Sequence, residues 1–145
     1  MELLTRTINI INRCTNLYRD TQLDGTSLPG CQVAYILRVC RQPGQTQDEL
    51  AQGLHVHKSS VARKLAALEA NGWITRTPCS QDRRALRVYP TPKAEEALPR
   101  LHRMLKDWSD YLTASLTQEE AHTLIALLNR VADRAETWAS ERSQD

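Results

Sequence analysis

Eight cationic side chains lie between positions 57 and 93: Lys58, Arg63, Lys64, Arg76, Arg83, Arg84, Arg87 and Lys93. Only Glu69 and Asp82 oppose them, so this block carries a net charge of +6. The rest of the chain does not share that excess. Residues 1–56 balance at five basic and five acidic side chains, and residues 94–145 carry six basic and ten acidic, a net of −4. A basic block inside a chain of net charge +2 is the electrostatic footprint of a nucleic-acid face. The block is also patterned. Val61, Leu65 and Leu68 recur at spacings of four and three, the buried stripe of a helix. The opposite face presents Lys58, Ser59, Ser60, Arg63 and Lys64.

The surrounding elements must hold that helix in place. Thr46-Gln47-Asp48-Glu49 is a capping box that opens a short helix, Thr46 to Gly53, with Leu50, Ala51 and Leu54 on its inner side. The cationic helix follows as His57 to Asn71, and Asn71-Gly72 terminates it. The period then changes to two. Trp73, Ile74, Leu86 and Val88 predict a two-stranded ribbon over Trp73 to Tyr89, with Asp82-Arg83-Arg84 at its tip. Two helices and a basic-tipped ribbon in this order make a winged helix-turn-helix. Thr91-Pro92 opens the next helix as cap and first position.

Both ends of the chain are helical and striped. Leu4, Ile8, Ile11, Cys14 and Tyr18 predict one amphipathic helix ending near Asp24-Gly25. Ser27-Leu28-Pro29 is expected to start a second helix whose inner face is Val33, Ile36, Leu37 and Cys40, stopped by Pro43-Gly44. After position 93, Ala94, Leu98, Leu101, Leu105, Trp108 and Leu112 keep helical spacing, with Pro99 expected to kink the helix or delay its start. Thr117-Gln118-Glu119-Glu120 is a second capping box, followed by the seam Ala121, Leu124, Leu128, Val131, Ala135 and Trp138. A seam of this length is buried in one core or against a partner, and the two ends together suit a dimer interface. Ser143 to Asp145 read as disordered. The expected architecture is mainly α with a small two- to three-stranded β-wing. It divides into an N-terminal dimerisation helix (1–26), a winged helix-turn-helix domain (27–92) and C-terminal dimerisation helices (93–145).

Composition excludes several classes. A hydrophobic content of 41% and a charged content of 25% are ordinary for a globular protein. With no Phe, the core falls to aliphatic residues and three Trp. No run is apolar enough to span a membrane and no basic-then-apolar leader opens the chain, which predicts a cytoplasmic protein. Cys14, Cys31, Cys40 and Cys79 are scattered, so reduced thiols and no metal site are expected. No cofactor is implied. An enzyme would need a nucleophile motif, a phosphate loop or paired carboxylates. Glu95-Glu96 and Glu119-Glu120 are adjacent pairs that point to different helix faces. A winged protein-interaction module is the alternative, and the basic block argues against it.

These motifs together resemble the MarR (multiple antibiotic resistance regulator) family of bacterial transcription factors. The likeness is carried by Thr46-x-x-Glu-Leu-Ala-x-x-Leu54, Ser59-Ser-Val-x-Arg63, Leu68-Glu-x-Asn-Gly-Trp-Ile-x-Arg76, and Asp82-Arg-Arg84 followed by Thr91-Pro92. It implies a homodimer on a pseudo-palindromic stretch of double-stranded DNA, acting as a repressor. Ser59, Ser60 and Arg63 match positions that face bases and nearby phosphates. Arg63 has the fork that pairs with guanine O6 and N7, with a plain phosphate contact as the alternative. Lys58 and Lys64 match backbone contacts. Arg84 matches the wing-tip arginine that enters the minor groove. Asp82 matches a structural wing aspartate, and Arg83 and Arg87 are candidate phosphate contacts. The chain departs from the family at His55, where a small residue is usual in the turn, at His57, a weaker helix cap, and at Ala94, where glycine is common.

The resemblance also implies a small aromatic or anionic effector that releases DNA. Tyr18, Tyr35, His102 and Trp108 are the candidate lining residues, and taken singly each reads more readily as ordinary core or surface. One branch of the family senses oxidants through a thiol in the first helix. Cys14 is the matching candidate, four residues from Tyr18, but the tyrosine that branch carries at the start of the second helix is not evident between Leu28 and Gln32. Cys79, expected to be exposed in the wing, is a second candidate thiol.

Overall fold

The computed structural model describes residues 2–142. The elements run α1 (Glu2–Gln22), a 3-10 turn (Gly30–Gln32), α2 (Val33–Arg41), β1 (Gln45–Thr46), α3 (Gln47–Leu54), α4 (Lys58–Ala70), β2 (Ile74–Pro78), β3 (Leu86–Pro90), α5 (Pro92–Thr113) and α6 (Gln118–Arg142). The sheet has three antiparallel strands in the order β1-β3-β2. Val88, fully buried at the centre of β3, lies opposite Gln45 on one side and Arg76 on the other.

One apolar cluster holds the middle of the chain together. Ile36, Leu50, Val61, Leu65, Leu68, Ile74 and Val88 are sealed from solvent, and Leu23, Ala94, Leu101 and Met104 join them. The first half of α5 is therefore a wall of the winged core as well as the start of the C-terminal segment. Both anticipated capping boxes form. Thr46 Oγ1 accepts from the Glu49 N–H at 3.1 Å while Glu49 Oε2 accepts from the Thr46 N–H at 2.9 Å. Thr117 and Glu120 repeat the exchange at 3.2 and 2.8 Å. Each exchange satisfies two amides that the first helical turn would leave unpaired.

Three expectations need correction. The second helix does not start at Ser27-Leu28-Pro29; a 3-10 turn intervenes and α2 begins at Val33. Pro29 caps that turn with extended backbone, at ψ 141°. Tyr35 and Val39 are buried along with Val33 and Ile36, whereas Leu37 and Cys40 are only half-buried. α2 is thus covered on more than one side, which a single-stripe reading cannot anticipate. Pro99 does not delay α5, which is helical from Pro92. It removes one hydrogen bond from a helix of 22 residues that packing holds in place.

Gly30 marks the tightest approach in the fold. A Cβ there would meet Arg19 Cβ at 2.6 Å and the Asn16 carbonyl oxygen at 2.8 Å, both on α1. Its N–H donates to Asp20 Oδ1 at 2.6 Å, pinning the 3-10 turn to the same helix. Gly30→Ala is expected to cost about 1–3 kcal/mol, because backbone rather than a flexible side-chain tip must move. A urea melt checks this through a lowered midpoint at unchanged slope.

Candidate nucleic-acid interface

α4 is set on the core by Val61, Leu65 and Leu68, at 1% exposure or less, so its opposite face has nowhere to go but outward. Lys58, Ser59 and Arg63 are exposed there, with Ser60 and Lys64 half-buried beside them. The turn before it depends on His55, which takes a left-handed conformation at φ 54° and ψ 45°. Histidine tolerates that region better than β-branched residues do. The Val56 N–H then closes onto the Ala51 carbonyl at 3.0 Å. His57 caps α4 with extended backbone and no side-chain hydrogen bond, as expected of a weak cap.

The cations differ in what holds them. Lys58 Nζ lies 3.2 Å from Asp48 Oδ2, with both side chains at least two-thirds exposed, a pair that solvent screening makes weak. Lys64 Nζ sits 5.6 Å from the centre of the Tyr35 ring. Arg63, Ser60, Lys64, Ala67 and Gln32 line an open depression of about 380 Å³ along this face. Arg83 and Arg84 stand exposed at the wing tip. Asp82 shapes that tip: its Oδ1 accepts from the Arg84 N–H at 3.0 Å and its carbonyl accepts from the Ala85 N–H at 3.0 Å. Arg87 is half-buried, and its Nη1 donates to the Gly44 carbonyl at 2.8 Å. Lys93 lies over the Trp73 ring at 4.5 Å and donates to the Asn71 carbonyl at 2.8 Å.

Arg76 was legible as part of the basic block and as the last residue of the Leu68–Arg76 motif, yet it turns inward. Its N–H donates to Glu69 Oε2 at 2.9 Å, its Nη2 to Glu69 Oε1 at 3.2 Å and its Nη1 to Gln47 Oε1 at 2.9 Å. The hydrogen bond from the Arg76 side chain leads in holding the Glu69 carboxyl below the usual glutamate range, against the opposing effect of desolvation. The missed signal was the alternation of β2. Arg76 shares the inward side with Ile74, and an inward arginine needs a carboxylate, of which the block holds only two.

The candidate effector residues do not form one set. Tyr18 and Trp108 stack at 4.5 Å between centroids, and Tyr111 continues the stack at 5.5 Å from Trp108. Trp108 Nε1 donates to Thr15 Oγ1 at 2.8 Å, tying α5 to α1. Tyr35 is instead a core residue of the winged domain, its phenol pushed up in pKa by burial and then by Cys31, and His102 is exposed on α5. Cys14 is exposed on α1. Cys79 is not the exposed wing thiol expected; it is 6% exposed, tucked under the tip loop. The backbone N–H groups of Gln81 and Asp82, followed by Arg87, lower its pKa from the ordinary thiol value. Among the described residues no cluster of His, Cys, Asp and Glu suits a metal ion, and no helix is long and apolar enough to cross a membrane.

A core-anchored helix with a polar outer face and a basic-tipped wing define the winged helix-turn-helix class of DNA-binding transcriptional regulators. A profile of the MarR family matches residues 32–86. The crystal structure of MarR is 33% identical, covers 95% of this chain and 94% of its own, and superposes with a TM-score of 0.88. The HTH-type transcriptional regulator YybA of Bacillus subtilis (strain 168), itself uncharacterized, is 29% identical over 92% of this chain and 89% of its own length. A MarR family regulator from Listeria monocytogenes in complex with a 26mer DNA shares the fold, with a TM-score of 0.85 at 20% identity over 97% of this chain and 94% of its own. The chain belongs to the MarR family.

Glu69 makes the stability of this interface dependent on pH. A carboxylate whose pKa is depressed on folding stabilises the fold above its unfolded value, about 4.3, and loses that contribution as the pH falls through the folded value. The stability gap between the native chain and Glu69→Gln should therefore be full at neutral pH and close in acid below that value. Urea melts across a pH series measure it, and a gap constant through the acid range would contradict the assignment.

Proposed function

We propose that the chain is a homodimeric repressor that reads a pseudo-palindromic operator in the cytoplasm and releases it on binding a small aromatic or anionic molecule. The observation that carries the reading is a division among the cations. Arg63, Arg83 and Arg84 reach solvent from the outer face of α4 and from the wing tip, whereas Arg76, Arg87 and Lys93 are taken up by the fold. The free arginines lead the contact with DNA, joined by Lys58 and Lys64, which Asp48 and the Tyr35 ring hold only weakly. Ser59, Ser60 and Arg63 face base edges, Lys58 and Lys64 grip phosphates, Arg84 enters the minor groove, and Arg83 touches the adjacent backbone. Arg87 adds to the local positive potential from its place on Gly44. The complex of the Listeria relative with a 26mer DNA supports this use of the fold.

The second copy follows from the apolar faces at the chain ends. Leu4, Ile8 and Ile11 on α1, and Leu124, Leu128, Val131 and Trp138 on α6, are each 39–60% exposed, and α6 buries none of its described residues. Surface of that extent on the two terminal helices calls for a partner. The Tyr18–Trp108–Tyr111 stack lies on the two helices that join these ends to the winged domain, a place where an aromatic effector would shift one against the other.

Fluorescence anisotropy on DNA upstream of its own gene, against scrambled DNA over a salt series, tests the reading. Sequence-preferring binding whose log K falls steeply with log salt, weakened about tenfold by Arg84→Ala, is expected, a loss of about 1.4 kcal/mol. Equal weak binding to both DNAs, unchanged by Arg84→Ala and persisting with DNA taken from a random-sequence selection, would count against it. Leu128→Asp should convert the dimer to monomer in sedimentation at micromolar concentration, and a monomeric native chain would refute the two-copy arrangement.

A further inference from the structure

The Arg76 guanidinium joins three elements that the DNA reading depends on. Glu69 lies in the last turn of α4, Gln47 is the first residue of α3, and Arg76 is the middle residue of β2. The connection from α4 to β2 is only Asn71 to Trp73, and it passes through Gly72 at φ +77° with open space around its Cα. The Trp73 N–H donates to the Leu68 carbonyl at 2.9 Å, and Thr91 Oγ1 donates to the Gly72 and Trp73 carbonyls, but these bonds lie at the pivot, where they have little leverage over the angle between helix and ribbon. The apolar contacts beneath are non-directional and tolerate rotation, whereas a forked guanidinium on a carboxylate is directional.

We propose that the Glu69–Arg76–Gln47 brace sets the angle between α4 and the wing, making these three positioning residues for DNA recognition. The proposal rests on the reading of α4 and the wing tip as the two DNA contacts. Geometry gives the brace leverage. Arg76 pairs with Val88 and the register ends two steps on, at Pro78 opposite Leu86, beyond which the tip loop carries Arg84. At about 3.3 Å per strand residue the tip stands on the order of 15 Å from the brace, so a rotation of about 5° moves it by more than 1 Å. A displacement of that size is enough to take a guanidinium out of hydrogen-bond range. The Arg76 side chain is 18% exposed, so solvent screens the pair less than it screens Lys58 and Asp48. Its bonds to Glu69 and Gln47 also explain why an arginine in the basic block is not free for phosphate.

Arg84→Ala introduced into the native chain and into Glu69→Gln separates positioning from mere support. Anisotropy on the operator should show about a tenfold loss in the native background and less than threefold in Glu69→Gln, because a displaced tip has little left to lose. Gln47→Ala, which keeps the Glu69–Arg76 pair, should fall between the two and covers the case in which Glu69→Gln folds poorly. Tenfold losses in all backgrounds, with only the melting temperature lowered, would overturn the proposal. Silence of Arg84→Ala in the native chain would refute the minor-groove reading instead. The brace is then decided without DNA, by residual dipolar couplings of the β2 and β3 amides relative to those of α4. A rotation of several degrees in Glu69→Gln or Gln47→Ala upholds it, and unchanged orientation in both overturns it.

Discussion

The structure depends on the complete burial of Val61, Leu65 and Leu68 under α4. Three aliphatic side chains on one stripe supply the adhesion, at roughly 1.5–3 kcal/mol each for full burial. They also leave Lys58, Ser59 and Arg63 on the opposite side exposed. Every other element near the interface serves that arrangement. α3 and α2 fill the other side of the cluster, β3 runs through its middle, and α5 closes it with Ala94, Leu101 and Met104. The outer residues of α4 can then be chosen for what they bind.

Charge in this domain is divided by geometry rather than by count. The block from 57 to 93 carries +6, but Arg76, Arg87 and Lys93 are held by a carboxylate, a carbonyl and an indole face. These are partners close in space and, for Arg87 and Lys93, distant in sequence. Charge counting therefore marked a basic face but overestimated how many groups on it are free. Arg83 and Arg84 escape the same fate because they sit at the end of a ribbon, beyond reach of the core. Asp82 is spent on the backbone of the turn there.

Much of the fold was legible because its signals are local. The capping boxes at Thr46 and Thr117, the left-handed tolerance of His55, the stripe of α4, and the Thr91-Pro92 start of α5 each involve residues within about two helical turns. What was not legible is tertiary. The 3-10 turn before α2 exists because Gly30 lies directly against Asn16 and Arg19, residues on another helix. The burial of Tyr35 and Val39 reflects coverage of α2 by several neighbours, and the burial of Cys79 reflects the path of the tip loop over it. Continuous helix through Pro99 is likewise set by packing, which offsets the lost hydrogen bond.

α6 has 25 residues and, among those described, no buried side chain. Most helical stability in proteins comes from packing of an apolar face rather than from intrinsic propensity. The order of α6 is thus on loan from whatever lies against it. A second copy seated on its exposed apolar face, as proposed, would firm a helix that the winged core leaves uncovered. Its resistance to proteolysis should rise with the number of copies around it, so that a solitary subunit is the form most exposed to degradation.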